Sequence, residues 1–250
     1  MQFLRADIED FVGIREIWEE QFTTDNAYLE IMFGEIMPQC TSYVCKENGR
    51  IISVLSLMPM IFINDETQMK LNGWYMFGVA TLKEYWGKRA AARLIGYATT
   101  TLQEQGYSFV FERPASQTLN NYYLNLGFTK QLEYIPHTFK TQKAESSTGN
   151  IIDKYTKVES ICGETHATSE AASGIILAEN ILEEIRTVHK KRFEWKNIHT
   201  LRSLVRIGEL DFHNATYCKT PPQGVFISIK AMNQTPEEIF NNSFFCFPME

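Results

Sequence analysis

The sequence predicts a layered α/β fold, and three observations carry that prediction. Short apolar runs rich in β-branched and aromatic residues alternate with stretches of helical apolar spacing. Asn48–Gly49 stands between two β-rich runs, a strong hairpin signal. Two helical stretches stop at glycines, Gly106 and Gly127, and each gives way to an extended apolar segment.

The elements follow in order. Phe3–Leu4–Arg5 reads as a short strand, and Asp7 can cap a helix through Ile8, Phe11, Ile14, Ile17, Trp18 and Phe22. A second helix, about 26–36, ends before Pro38. Tyr43–Lys46 and Ile51–Leu57 form the hairpin, a turn follows at 64–67, and a strand runs from about 72 to 81. A helix at about 87–104, a buried strand at 108–111 and a helix at about 116–126 complete the series. The order is βααββ, then β–α–β–α–β.

Residues 141–150 are polar and aperiodic, so they read as a linker or exposed loop. The expected organisation is therefore a first domain over 1–140 and a smaller C-terminal α/β region over 151–250. In that region a helix is expected at about 176–193 and a second at 197–205. Extended runs follow near 212–218 and 225–230, then the aromatic run Phe244–Phe247. Ile14, Arg15, Phe22 and Asn26 match Ile185, Arg186, Phe193 and Asn197 at one offset, 185 − 14 = 171. Either the region is a degenerate half-repeat of the first, or two amphipathic helices coincide. Lys190–Lys191–Arg192 reads as a solvated helix face, and the aromatic run as a buried strand or a self-association edge.

Composition bounds the function. At 250 residues the chain can bury a core without disulfide or metal staples. Its 24 Lys and Arg against 30 Asp and Glu leave a net charge of −6, which disfavours sequence-independent nucleic-acid binding. An acidic surface tolerates cationic partners such as amines. No apolar run approaches a membrane span and no signal segment is visible, so a cytoplasmic protein is expected, as a monomer or homodimer. The 5 cysteines are scattered and the 5 histidines form no metal-binding spacing, so no metal is expected.

The informative stretch is Gly78–Val79–Ala80–Thr81, the turn through Trp86–Gly87–Lys88–Arg89, and Ala90–Ala91–Ala92–Arg93 opening a helix. Amides in a helix's first turn lack intrahelical partners, and the helix dipole makes that end positive. Small residues there let a phosphate approach, and Lys88 and Arg89 add charge. The stretch is a pyrophosphate cradle or an ordinary helix start filled by alanines. It is neither a P-loop nor a dinucleotide fingerprint. Some thirty residues on stands Pro114–Ala115–Ser116, with Tyr122–Tyr123–Leu124–Asn125–Leu126–Gly127–Phe128.

A tyrosine four residues before Gly-Phe, after a Val-Ala-Thr…Tyr-x-Gly-Lys turn, resembles the GNAT N-acetyltransferase superfamily over about residues 1–135. The resemblance implies a mixed, mostly antiparallel sheet splayed between its fourth and fifth strands, with acetyl-CoA in the gap. Pantetheine would pair with the backbone of Val79 and Thr81. The pyrophosphate would rest on Gly87, Lys88, Arg89, Ala90, Ala91 and Ala92, and Tyr123 would protonate the departing CoA thiolate.

The pattern Arg/Gln-x-x-Gly-x-Gly/Ala reads Trp86–Gly87–Lys88–Arg89–Ala90–Ala91 here, and Ser116 stands where the family often has Asn. Arg89 could contact a phosphate, and Arg93 the 3′-phosphate. Glu112 and Glu84 are the candidate bases, and Tyr75 is either an acceptor-channel residue or a core aromatic. The implied function is acetyl-CoA-dependent N-acyl transfer to a primary amine, on a small molecule or peptide. Trp86 and Arg89 motivate the alternatives, a non-catalytic acyl-CoA-binding module or an interaction protein that has lost CoA.

Overall fold

The computed structural model describes residues 1–128, 130–132, 186, 190–196, 224–228, 239–240 and 244–245. The chain starts with β1 (Gln2–Arg5) and turns through Ile8–Asp10 into α1 (Phe11–Gln21). Asp7 and Asp10 form a reciprocal capping box at that turn, so the expected cap is present. Asp25 caps α2 (Asn26–Ile31), which runs on through a π-helical turn, Met32–Ile36, and a 3-10 turn, Met37–Gln39.

β2 (Thr41–Glu47) and β3 (Arg50–Asn64) make the hairpin; Asn48 and Gly49 adopt positive φ at its turn. β4 (Met69–Thr81), α3 (Ala90–Glu104), β5 (Phe109–Glu112), α4 (Gln117–Asn125) and β6 (Lys130–Leu132) follow. Three further strands are β7 (Lys191–Trp195), β8 (Gly224–Ser228) and β9 (Phe244–Phe245).

The nine strands among the described residues belong to one mostly antiparallel sheet, ordered β1-β2-β3-β4-β5-β8-β6, with β7 on β3 and β9 on β7. The one parallel pair along the main order is β4–β5, joined through α3. Helices α1 and α2 cover one face, where Ile14, Ile17, Trp18, Leu29 and Met32 meet Val54, Met60, Phe62, Tyr75, Phe77 and Phe111. Helices α3 and α4 cover the other, where Leu94, Ile95, Ala98, Leu102 and Tyr123 meet Leu55, Leu57, Met76 and Val110. Strand β3 is apolar almost throughout because helices press on both of its sides. Each such side chain, fully buried, contributes about 1.5–3 kcal/mol.

Residues 191–193 form a strand where a helix end was expected. Phe193 explains the difference: its ring lies 5.1 Å from Phe62 and 5.4 Å from Phe109, a contact that a paired strand on β3 provides. Arg192 is buried rather than solvated, held by Asp65 and by Glu194, whose Oε1 accepts from Nε at 2.6 Å. Arg186 adds a second cation to Glu194 at 3.1 Å. Phe193 thus sits on a strand, whereas Phe22, its match in the half-repeat alignment, closes α1.

The extended run near 225–230 appears as β8, and Phe244–Phe245 as β9. The linker at 141–150, the remainder of the helix at 176–193, the helix at 197–205 and the run at 212–218 lie outside the described residues. So do all five histidines and Cys162, Cys218 and Cys246. Among the described residues no helix is long and apolar enough to cross a membrane.

Candidate functional site

The sheet opens where β4 outruns β5. Gly73–Met76 pair with Phe109–Glu112, and β4 then continues to Thr81 with no strand partner on that side among the described residues. Opposite Leu55 of β3, β4 carries two residues, Gly78 and Val79, so the strand bulges at the opening. Gly78 has φ +59, and a Cβ there would stand 2.5 Å from Cζ2 of Trp18, so no larger residue fits unshifted. Leu82 donates its amide to the Ile52 carbonyl at 3.0 Å, so residues of the other parity, Val79 and Thr81, present their backbone to the gap. The Thr81 carbonyl already accepts one bond, from the Trp86 indole at 2.7 Å.

Beyond β4 the chain turns into α3. Arg89 precedes the helix at φ 60, ψ 25, the left-handed region that glycine adopts without cost, and no side chain caps the end. That geometry gives a physical reason for glycine in the family pattern at this position. The first intrahelical bond is Arg93 N–H to Arg89 O at 3.1 Å, which leaves the amides of Ala90, Ala91 and Ala92 without intrahelical partners. A cavity of about 690 Å³ lies over them, lined by Val79, Thr81, Trp86, Gly87, Arg89, Ala90, Ala91, Ala92, Tyr122 and Tyr123.

Seven of the eight cofactor residues expected from sequence therefore converge on one cavity, together with the expected acid. Lys88 is the exception; its ammonium lies over the Tyr85 ring at 4.3 Å and does not line the space. Arg93 also turns elsewhere, with its guanidinium 4.9 Å from the Phe3 ring.

A second cavity, about 470 Å³, lies between β4, β5, α1 and the start of α2. Trp18, Phe22, Tyr28, Tyr75 and Phe77 form its aromatic walls, and Glu112 and Tyr123 its polar end. The two cavities share Gln21, Phe22, Val79, Leu119 and Tyr123, so they meet at the β4 bulge and the tyrosine.

Tyr123 is 4% exposed and lies on α4, with its ring 5.4 Å from those of Tyr122 and Phe128. Burial raises its phenol well above the usual range, and the neighbouring Glu112 adds to the effect. Glu112 ends β5, is 6% exposed, and leaves Oε2 without a hydrogen-bond partner. Burial pushes its carboxyl up to about 9, against the Tyr123 hydroxyl and the Arg113 charge, which both favour ionisation. Glu84, the other candidate base, is an exposed residue paired with Arg50 and lines neither cavity.

Ser116 is committed locally, its hydroxyl accepting the Leu119 amide at 3.2 Å as the cap of α4. Tyr75 lines the second cavity while packing in the core, so both readings of it apply. Phe22 and Tyr28 were not visible as site residues in the sequence. They arrive from elements about ninety positions upstream, and only Phe22, an apolar residue ending an amphipathic helix, gave any signal. Among the described residues, no group of three His, Cys, Asp or Glu side chains converges as a metal site would require.

Residues 8–128 match the acetyltransferase (GNAT) family. Among curated proteins none matches the sequence. Of solved structures, a conserved protein from Enterococcus faecalis V583, a probable N-acyltransferase, is 15% identical with TM-score 0.45, over 49% of this chain and 31% of its own. The chain thus spans about a third of that protein's length. A GNAT family N-acetyltransferase from Escherichia coli, solved with CoA, is 19% identical with TM-score 0.42, over 51% of this chain and 67% of its own. A GNAT family acetyltransferase from Brucella melitensis, solved with acetyl-CoA, is 16% identical with TM-score 0.41, over 52% and 82%.

Proposed function

We propose, from the match of residues 8–128 to the GNAT acetyltransferase family, that the chain moves the acetyl group of acetyl-CoA to a primary amine. The observation that carries the proposal is the meeting of two unlike cavities at Tyr123. One offers free helix amides and the Arg89 charge, the chemistry a pyrophosphate needs. The other is an apolar chamber ending in one carboxyl, the chemistry a primary amine needs.

In this reading the acetyl-CoA phosphates rest on the Gly87–Ala92 turn, with Arg89 beside them and Lys88 adding field from outside. Pantetheine runs along Val79 and Thr81, where the Thr81 carbonyl keeps a second lone pair for an amide N–H. That contact survives the Trp86 bond, which therefore does not favour a binding-only module over an enzyme.

Each group then has one task. Glu112 acts as the base in its ionised form, whose share grows toward pH 9: it takes a proton from the substrate ammonium, and the freed nitrogen lone pair bonds to the acetyl carbonyl carbon. The C–S bond breaks with its electrons on sulfur, and Tyr123 protonates the thiolate. Tyr123 recovers a proton from Glu112, and nitrogen loses its second proton to water. The tyrosine is too weak an acid to act alone on a thiolate, which gives its neighbour Glu112 a reason to be there. Holding amine and thioester together supplies much of the remaining acceleration.

The test is thermal stability with and without millimolar acetyl-CoA, followed by thiol release with an amine panel. A native-state ligand must raise the melting temperature, and a rise of several degrees is expected. No rise with acetyl-CoA or CoA would overturn the proposal.

A further inference from the structure

We infer that the second cavity selects a small primary monoamine with an aromatic body, an arylalkylamine, and discriminates against diamines and polyamines. The inference deepens the acetyl-transfer reading and rests on it.

The walls come first. Tyr75 and Phe77 lie parallel, 6.1 Å apart at 6°, and Trp18 stands edge-on to Phe77 at 6.3 Å. Phe22 continues the wall 4.8 Å from Trp18, and Tyr28 closes it from α2. An aryl group entering such a slot meets ring faces and ring edges, the two geometries that aromatic pairs prefer. About 470 Å³ suits a ligand with one or two rings, near the lower end of ordinary ligand pockets.

Charge sets the count of amines. Of the described residues lining this cavity, Glu112 is the one carboxyl and Arg113 the one permanent cation. A monoamine that surrenders its proton to Glu112 leaves no charge on its body. A second ammonium would have to leave water for aromatic walls that carry no second carboxylate among the described residues, close to a like charge. Glu112 is the group that fits the first amine: buried, at the cavity's end, with Oε2 unpartnered.

The rim supplies an independent observation. Phe22 is 49% exposed and Leu119 is 42% exposed, and both line the mouth shared by the two cavities. Two large apolar side chains left half in water at a site entrance have their surface covered when an apolar substrate body enters. A polyamine would leave them wet.

The full chain is assayed by thiol release from acetyl-CoA with 2-phenylethylamine, spermidine, an aminoglycoside and a tripeptide beginning with Phe. The expected result is a kcat/KM for 2-phenylethylamine about thirtyfold or more above each of the others. Tyr28 lines the second cavity and not the first, so its variants address the amine alone. Tyr28→Glu adds a second carboxylate and should move the preference about tenfold toward spermidine, with the KM for acetyl-CoA within about twofold. Tyr28→Phe should keep the wild-type preference, which controls for a fold defect.

Turnover of spermidine or the aminoglycoside equal to that of 2-phenylethylamine overturns the inference, and so does an unchanged preference in a folded Tyr28→Glu chain. Faster turnover of the tripeptide overturns the small-molecule assignment. Where acetyl-CoA raises the melting temperature but 2-phenylethylamine is neither acetylated nor bound by the CoA-loaded chain, the inference fails and the donor reading stands. Where acetyl-CoA itself has no effect, both fall.

Discussion

Helices α3 and α4 both point their N-termini toward the cleft, and they end in opposite ways. The start of α4 is closed: Ser116 adopts extended backbone and its hydroxyl takes the Leu119 amide. The start of α3 is open, with Arg89 in left-handed backbone, no side-chain cap and three successive alanines. The cap meets one of the first-turn amides of α4 from within, whereas the uncapped end of α3 keeps all of its first-turn donors and a positive dipole for an anion. The two helices therefore serve the site differently: α3 offers backbone, and α4 offers a side chain, Tyr123. Binding and chemistry should separate along that line.

The largest effect should come from the α4 side. Tyr123→Phe keeps the ring in its pocket and removes the proton, so kcat should fall about a hundredfold or more. Steady-state kinetics should show little change in the KM for acetyl-CoA; equal loss in both would join what the comparison separates. On the α3 side, Arg89→Glu places a carboxylate beside the open amides. It should raise the KM for acetyl-CoA about tenfold or more and shrink the acetyl-CoA-induced rise in melting temperature.

Glu112→Gln sharpens the α4 side through pH. In the folded chain burial pushes the carboxyl up to about 9, against an ordinary 4.5 for a free side chain. Between those values the folded chain holds a proton that the unfolded chain lacks, so stability falls as pH rises, by up to about 1 kcal/mol per unit. Melting curves of wild type and Glu112→Gln should coincide near pH 4 and separate by pH 8, with the variant the more stable. The activity of wild type should climb toward pH 9 as the base ionises, and the variant should lose that climb. The smallest effect belongs to the cap of α4. Ser116→Ala should cost about 1 kcal/mol in denaturant unfolding and leave the KM for acetyl-CoA unchanged.

How much of this was legible beforehand varied with the range of the forces involved. Local chemistry reads well: Asp7 as a cap, Asn48–Gly49 as a hairpin turn, and Gly106 and Gly127 as helix ends all depend on neighbours in sequence. The stretch proposed above as the donor turn comes together around one cavity for the same reason, since Val79 to Ala92 is one continuous segment. Lys88 and Arg93 were misplaced because their direction is set by Tyr85 and Phe3, aromatic partners that no motif announces.

The second cavity, proposed above to take the acceptor, was nearly invisible. Its walls come from α1, α2, β4 and β5, and periodicity marks Trp18, Tyr75 and Phe77 only as core. Lys190–Arg192 failed for a related reason. A run of three cations favours a solvated surface until a distant Asp65 and an adjacent Glu194 neutralise one of them inside the protein.

The position of β7 matters to anyone who shortens this chain. It lies against Met60–Asn64 of β3, beyond the stretch that β2 occupies, and Phe193 is pressed onto Phe62 and Phe109. Cutting the chain after residue 128 would leave that length of β3 with an open ladder and two bare rings. Such an edge is a template for any other strand in solution. A trimmed version would keep both cavities and become sticky, and dimers formed by it would be a product of the scissors rather than a property of the protein.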